Sequence, residues 1–312
     1  MLVFRSLCHR LLACLKPSQN DRLQIFKSAL NVLTLGKDWI YRDKYGWLVV
    51  NMKLNKEPRY QIVIEHIFKS YDEGATFAVN DVSLSVKEGE FLVILGSSGS
   101  GKSTLLKMIN RLVPASAGKI LINDEDVTDR DIIKHRRDFG YVFQGIGLFP
   151  HFSVFDNVTI QMHLQRVPYQ IRKERASELL NAVRLPPEVY GSRFPHELSG
   201  GERQRVGVAR SLAMDPAYLL MDEPFGALDA VTREQLQEEV IELWQTLQKT
   251  VVFVTHDIFE ALKLGERIAI MDGGRLQQVG EASELINSPS SEFVEKIFRR
   301  PLEQFSKLSR IV

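Results

Sequence analysis

The nine residues Gly96, Ser97, Ser98, Gly99, Ser100, Gly101, Lys102, Ser103 and Thr104 have the composition and spacing of a phosphate cradle, the P-loop pattern GxxxxGK[ST]. Backbone amides can wrap a polyphosphate only where side chains do not intervene, and Gly96, Gly99 and Gly101 allow the turn and the close approach. Lys102 then supplies a point charge, Ser103 offers a hydroxyl to Mg²⁺, and a helix opening near Gly101 aims its positive end at the same phosphates. At ordinary residue frequencies the pattern arises by accident in roughly one per cent of chains this long. A second constellation lies in LLMDEP, where an apolar run ends in Asp222 and Glu223. Asp222 is expected to hold the Mg²⁺ shell opposite Ser103, and Glu223 to reach the water that attacks a γ-phosphate. Two acids after a strand also serve simply to cap the next turn. Their pairing with the glycine loop favours the chemical reading.

The elements that must position these residues follow from hydrophobic periodicity. The run Phe91 to Leu95 reads as a buried strand leading into the glycine loop, and a helix is expected from Lys102 to about Val113, ended by Pro114. Upstream, QIVIEHI from Gln61 and VNDVSLSV alternate as strands of a small β subdomain. Short strands are expected at KILIND from Lys119 and GYVFQ from Gly140. Between about Val154 and Leu212 the spacing turns helical, which marks an inserted helical subdomain over about 145–212. Strands return at AYLLMD, TVVFVTH and RIAIMD, alternating with helices near Thr232 to Leu247 and Asp257 to Leu264, the pattern of a mostly parallel α/β sheet. The resulting division is a basic extension over 1–59, a nucleotide-binding domain over 60–290 and a helical tail over 291–312.

Composition narrows the classes. The chain has 312 residues, 44% hydrophobic and 25% charged, with a net charge of +1, so it is ordinary globular protein. Residues 1–60 carry 11 Lys or Arg against 4 Asp or Glu, and the remainder 29 against 35. That mildly acidic remainder has no basic stripe of the kind a nucleic-acid domain needs, so no nucleic-acid partner is expected. Cys8 and Cys14, the two cysteines, are not CxxC-spaced and have no suitably placed histidine, which fits a reducing compartment. No apolar run reaches about 18 residues. The segment Met1 to Lys16 bears Arg and no acid, so it reads either as an upstream extension, with Met52 a sufficient start, or as an anchor or address.

The segment LSGGERQRVGVAR, Leu198 to Arg210, resembles the signature sequence of ATP-binding-cassette (ABC) proteins. Taken with the glycine loop and LLMDEP, the resemblance runs in order from about Gln61 to Phe298. It implies an α/β P-loop NTPase fold: a RecA-like core with a mostly parallel sheet, an N-terminal antiparallel β subdomain and an inserted α-helical subdomain. By the same resemblance Tyr71 stands where the family stacks adenine, Gln144 matches the Q-loop glutamine that joins the Mg²⁺ site, Asp229 the D-loop aspartate and His256 the switch histidine. Outside this context a lone His or Gln is usually structural or solvated. Ser199, Gly200 and Gly201 open a second glycine-softened helix N-terminus suited to an anion, and one phosphate has no use for two such cradles on the same side. The family arrangement resolves this: the P-loop of one subunit faces the signature of a second copy, head to tail, with two ATP molecules between them.

The phrases KMINRL, GYVFQ-IGLFPH around Gly145, and EFVEKIF are similar to ATPase subunits of quaternary-amine and osmoprotectant importers for glycine betaine, proline, choline or carnitine. Gly145 stands where that group often has Gln, and the paired regulatory domains that some of its members carry after the ATPase have no counterpart before Val312. The resemblance implies separate transmembrane permease subunits, a substrate-binding protein acting through them, and a cytoplasmic, peripheral location on the inner membrane face. The stretch Gly147 to Val154 is expected to receive a permease helix, although Phe149, Pro150 and Phe152 also suit core and turn positions. Two other readings stand beside this one. The same architecture could serve another small polar solute, and a mechanical ABC ATPase acting on DNA or ribosomes would require coiled coils, zinc-binding cysteines or a second cassette.

Overall fold

The structure, a computed structural model, describes the backbone at residues 32–35, 38–43 and 46–50 and the chain from 60 to 308 apart from Ile146; side chains are described for 61–299, again without Ile146, and for Pro301. The Met1 to Lys16 segment, Cys8, Cys14 and Met52 lie outside the described residues. The chain divides into two units, Met1–Glu57 and Pro58–Val312. In the first, strands β1 (Val32–Leu35), β2 (Asp38–Asp43) and β3 (Gly46–Val50) form an antiparallel sheet in that order, a feature the sequence reading did not assign.

The second unit is built on two sheets. Strands β4 (Tyr60–Lys69), β5 (Val79–Lys87), β7 (Ala117–Ile122) and β8 (Glu125–Asp126) make an antiparallel sheet in the order β5-β4-β7-β8. Strands β6 (Phe91–Gly96), β9 (Phe139–Val142), β10 (Tyr218–Asp222), β11 (Thr250–Thr255), β12 (Arg267–Asp272) and β13 (Arg275–Gly280) make the second, in the order β13-β12-β6-β11-β10-β9. Every pairing from β12 to β9 is parallel, and only β13 runs antiparallel, as an edge hairpin on β12.

The continuous apolar runs follow from burial on both faces. Along β6, Phe91, Val93 and Leu95 enter one core and Leu92 and Ile94 the other. Val251 and Phe253 against Val252 and Val254 repeat this alternation on β11. The first core holds the helical subdomain: α3 (Val154–Leu164), α4 (Tyr169–Ala182), the short α5 (Pro187–Tyr190) and α6 (Gly200–Leu212). It also takes α7 (Ala230–Leu247), α8 (Ile258–Leu264), α9 (Ala282–Asn287) and the start of α10 (Glu292–Leu308), whose Val294 and Phe298 are fully buried. The second core lies between the two sheets and α1 (Lys102–Ile109); α2 (Ile132–Arg137) precedes β9.

Helix α1 ends before the expected Val113. Arg111 adopts φ 51°, and the Leu112 and Arg111 amides bond back to the carbonyls of Lys107 at 2.8 Å and Met108 at 2.9 Å. These two bonds are the Schellman closure, formed with arginine where glycine is usual, so the helix stops at Asn110 before proline is reached.

Candidate nucleotide site

Four neighbouring parallel strands, β6, β11, β10 and β9, deliver their carboxyl ends to one edge of the sheet, and each is followed by chemistry-bearing residues. The glycine loop follows β6, His256 follows β11, Asp222 and Glu223 close β10, and Gln144 follows β9. In the loop, a side chain at Gly96 would place its Cβ 2.2 Å from the Met271 carbonyl, and at Gly101, with φ +96°, 2.2 Å from that of Ala78. Only glycine lets the backbone pass so close.

Lys102 is 4% exposed and folds over the loop, donating to the carbonyls of Gly96 at 2.9 Å and Ser97 at 2.7 Å and lying 3.5 Å from the Ser100 hydroxyl. These three partners carry no charge. Burial lowers the ammonium's pKa, and the nearby carboxylates of Glu223 and Asp222 only partly offset this. A polyphosphate would supply the rest of the counter-charge.

The Ser103 hydroxyl donates to Asp222 Oδ1 at 2.6 Å, while the Tyr141 phenol reaches Asp222 Oδ2 at 3.3 Å. Burial and the adjoining carboxylate push the Tyr141 phenol far above its ordinary range, so it remains a donor at any working pH. Hydroxyl and carboxylate are hard oxygen ligands, so Ser103 and Asp222 fit Mg²⁺. One residue on, Glu223 takes φ 43°, left-handed backbone that a glutamate occupies only when its surroundings enforce it. Its amide donates to the Val254 carbonyl at 3.0 Å. Its Oε2 accepts from Gln144 Nε2 at 3.1 Å and lies 3.1 Å from His256 Nδ1. Glu223 is thus gripped by the loops of both flanking strands.

Other residues singled out from the sequence sit on separate elements. Tyr71 is 65% exposed in the loop after β4, with the Lys69 ammonium 4.9 Å from its ring centroid. Ser199 caps α6 through a reciprocal box with Glu202, and Asp229 caps α7 by accepting from the Thr232 amide at 3.0 Å. Gly201 is buried, and a Cβ there would lie 2.4 Å from Thr232 Cγ2, so packing of α6 on α7 by itself demands glycine. Gly200 has room for a side chain, with Leu228 at 3.5 Å.

Two residues escaped the sequence reading. Tyr141 is one; the only hint was an aromatic hydroxyl on a strand beside LLMDEP. The other is Asn157 of α3, fully buried, whose Nδ2 donates to the carbonyls of Phe149, Phe152 and Ser153 at 3.0–3.1 Å and whose Oδ1 accepts from the Phe149 amide at 2.8 Å. It clamps the loop that leaves Phe149 48% and Phe152 38% exposed, rings 5.4 Å apart, rather than buried in the core. Replacing Asn157 by leucine strands these backbone groups, and we expect a loss of about 2–3 kcal/mol, read by denaturant unfolding. An unchanged midpoint would show that the loop is held by other contacts.

Comparison with known proteins adds to this geometry. The family model for ABC transporters matches residues 79–226. The chain is 51% identical over 235 residues to the choline transport ATP-binding protein of Bacillus subtilis, covering 75% of this chain and 61% of that protein. It is 46% identical over 239 residues to the glycine betaine uptake system ATP-binding protein of Escherichia coli, covering 77% of each. The chain spans about three fifths of the length of the first curated relatives it matches. Among solved structures, a dimeric bacterial ABC transporter cassette superposes with a TM-score of 0.64 at 37% identity, covering 70% of this chain and 98% of that one. Part of an ABC transporter complex from Clostridium perfringens superposes with a TM-score of 0.69 at 28% identity, covering 81% and 97%.

Proposed function

We propose, from the premise that this chain belongs to the ABC transporter family, that it is the ATP-hydrolysing subunit of an importer for a quaternary amine or related osmoprotectant such as glycine betaine, choline, carnitine or proline. The observation that carries the catalytic reading is the grip of Gln144 and His256 on Glu223 Oε2, one residue beyond the Ser103–Asp222 contact.

In this reading the loop amides and Lys102 hold the triphosphate, and the ammonium exchanges carbonyl partners for phosphate oxygens. Ser103, Asp222 and Gln144 would hold Mg²⁺, which would supply positive charge to the triphosphate. Glu223 orients the attacking water and receives its proton, and His256, with its Nδ1–H directed at the carboxylate, keeps Glu223 in place. Tyr71 offers its exposed face to the adenine. Ser199, Gly200, Gly201 and Asp229 serve the ATP of a second copy, joined head to tail. Phe149 and Phe152 receive a helix of a separate permease subunit, and a solute-binding protein acts through that permease. The chain works at the cytoplasmic membrane face; among the described residues no helix is long and apolar enough to cross a membrane.

The cargo rests on kinship with relatives whose names specify choline and glycine betaine transport. We expect vesicles containing the assembled transporter to accumulate at least one of the four solutes in an ATP-dependent manner. If the cognate binding protein ignores all four and takes another polar solute, the quaternary-amine reading fails while the importer reading stands.

A further inference from the structure

We propose that Asp72 is a positioning residue for nucleotide binding: its side chain pre-shapes the loop that presents Tyr71, so that the base platform and the phosphate cradle stand at a fixed separation before nucleotide arrives. The inference rests on the proposed role of Tyr71 in stacking the base.

Every residue of the loop after β4 from Tyr71 to Phe77 is exposed, and the loop contains Gly74, at φ +99°, and Glu73, at φ 56°. A segment so composed has every reason to be mobile. Instead one carboxylate organises it. Asp72 Oδ1 accepts from the Thr76 amide at 2.8 Å and from the Ser70 hydroxyl at 2.8 Å, while Oδ2 accepts from the Thr76 hydroxyl at 2.6 Å. The Ser70 oxygen in turn accepts from the amides of Asp72 at 3.2 Å and Gly74 at 2.8 Å. These bonds stabilise the ionised carboxyl and lower its pKa to about 2, so the clamp is intact across the physiological range.

Both feet of the loop are tied to the scaffold. The Ser70 amide donates to Ser116 Oγ at 3.1 Å, and the Ala78 amide closes the loop on the Lys69 carbonyl at 2.8 Å. Phe68 and Phe77 meet edge to face at 5.9 Å beneath it. The second foot also touches the cradle. The missing Cβ of Gly101 would lie 2.2 Å from the Ala78 carbonyl, and that of Gly274 3.0–3.1 Å from the carbonyls of Phe77 and Ala78. The Gly274 amide donates to the Ser100 carbonyl at 3.2 Å, and its own carbonyl accepts from the Asn80 amide at 2.8 Å. The loop bearing Tyr71 is therefore fastened to the phosphate loop through backbone alone, and Asp72 fixes the span between that seam and the ring. A ligand that meets an ordered platform does not have to order it, and the gain appears in affinity for the part of the ligand that the platform touches.

Base and phosphate contributions separate when Mg-ATP and Mg-tripolyphosphate are titrated calorimetrically against the full chain. We expect Asp72→Ala to weaken ATP about 10-fold, within the range that stacking on an aromatic ring contributes, and to leave tripolyphosphate within about twofold of the parent. Asp72→Asn, which keeps one acceptor oxygen, should fall between, and Tyr71→Ala should match Asp72→Ala. The double variant should be no weaker than Tyr71→Ala alone. Equal weakening of both ligands, unchanged ATP affinity, or additive losses in the double variant would overturn the role of Asp72. If the parent binds tripolyphosphate as tightly as ATP, the base-stacking role of Tyr71 falls, and with it this inference. If the parent binds neither ligand, the nucleotide reading itself is wrong.

Discussion

Glu223→Gln is expected to leave Mg-ATP binding intact and to slow hydrolysis by at least about 100-fold. Glutamine is nearly isosteric, and the bond from the residue 223 amide to the Val254 carbonyl does not involve the side chain, so the strained backbone can persist. What disappears is the negative oxygen that Gln144 and His256 both address, and with it the acceptor for the proton of the attacking water. Nucleotide then binds without being consumed. Dimers should accumulate on size-exclusion chromatography in Mg-ATP, whereas the parent chain returns to monomer as hydrolysis proceeds. A variant that stays monomeric and turns over at the parental rate would remove Glu223 from its role.

The second large effect concerns the composite site. Gly200 begins α6, its neighbour Leu228 leaves space for a side chain, and an acid in the first turn of a helix is favourable to the fold. Gly200→Asp should therefore fold, yet it sets a negative charge where the partner's triphosphate is proposed to dock. Alone it should abolish measurable ATPase activity, and Lys102→Ala should do the same from the cradle side. A two-fold dimer of the two variants contains one site with both defects and one with neither, so an equimolar mixture should recover about a quarter of the parental activity. No recovery in dimers shown to be mixed would mean that each nucleotide is handled within one chain. The same substitution at Gly201 would be uninformative, because Thr232 already fills that space.

The candidate site residues were legible because the chemistry proposed for them demands particular residue types beside particular elements. Lys102 and Ser103 follow a strand through glycines, and Asp222 and Glu223 close another. The parallel sheet was legible for a related reason: β6, β10 and β11 are buried on both faces and so carry unbroken apolar runs at their centres. The edge strand β13, RLQQVG, was not, since partial exposure on both faces leaves no alternation to detect. The end of α1 was missed because its closure uses Arg111 where sequence reasoning looks for glycine. Tyr141 meets Asp222 only because β9 pairs with β10, and strand order is not encoded in any local pattern. Asn157 bonds within eight residues of itself, but an asparagine near a turn reads equally well as a solvated one, and its burial comes from tertiary packing.

Lys102 has one more consequence, for the protein's lifetime in the cell. Its buried ammonium hydrogen-bonds only carbonyls and a hydroxyl, and the carboxylates of Glu223 and Asp222 compensate its burial only in part. Anything that brings phosphate to the loop stabilises the folded chain as well as occupying a site. Where nucleotide is scarce, the idle molecules are then also those that open most readily and are first exposed to proteases. Energy supply would set how many copies survive as well as how fast each one works.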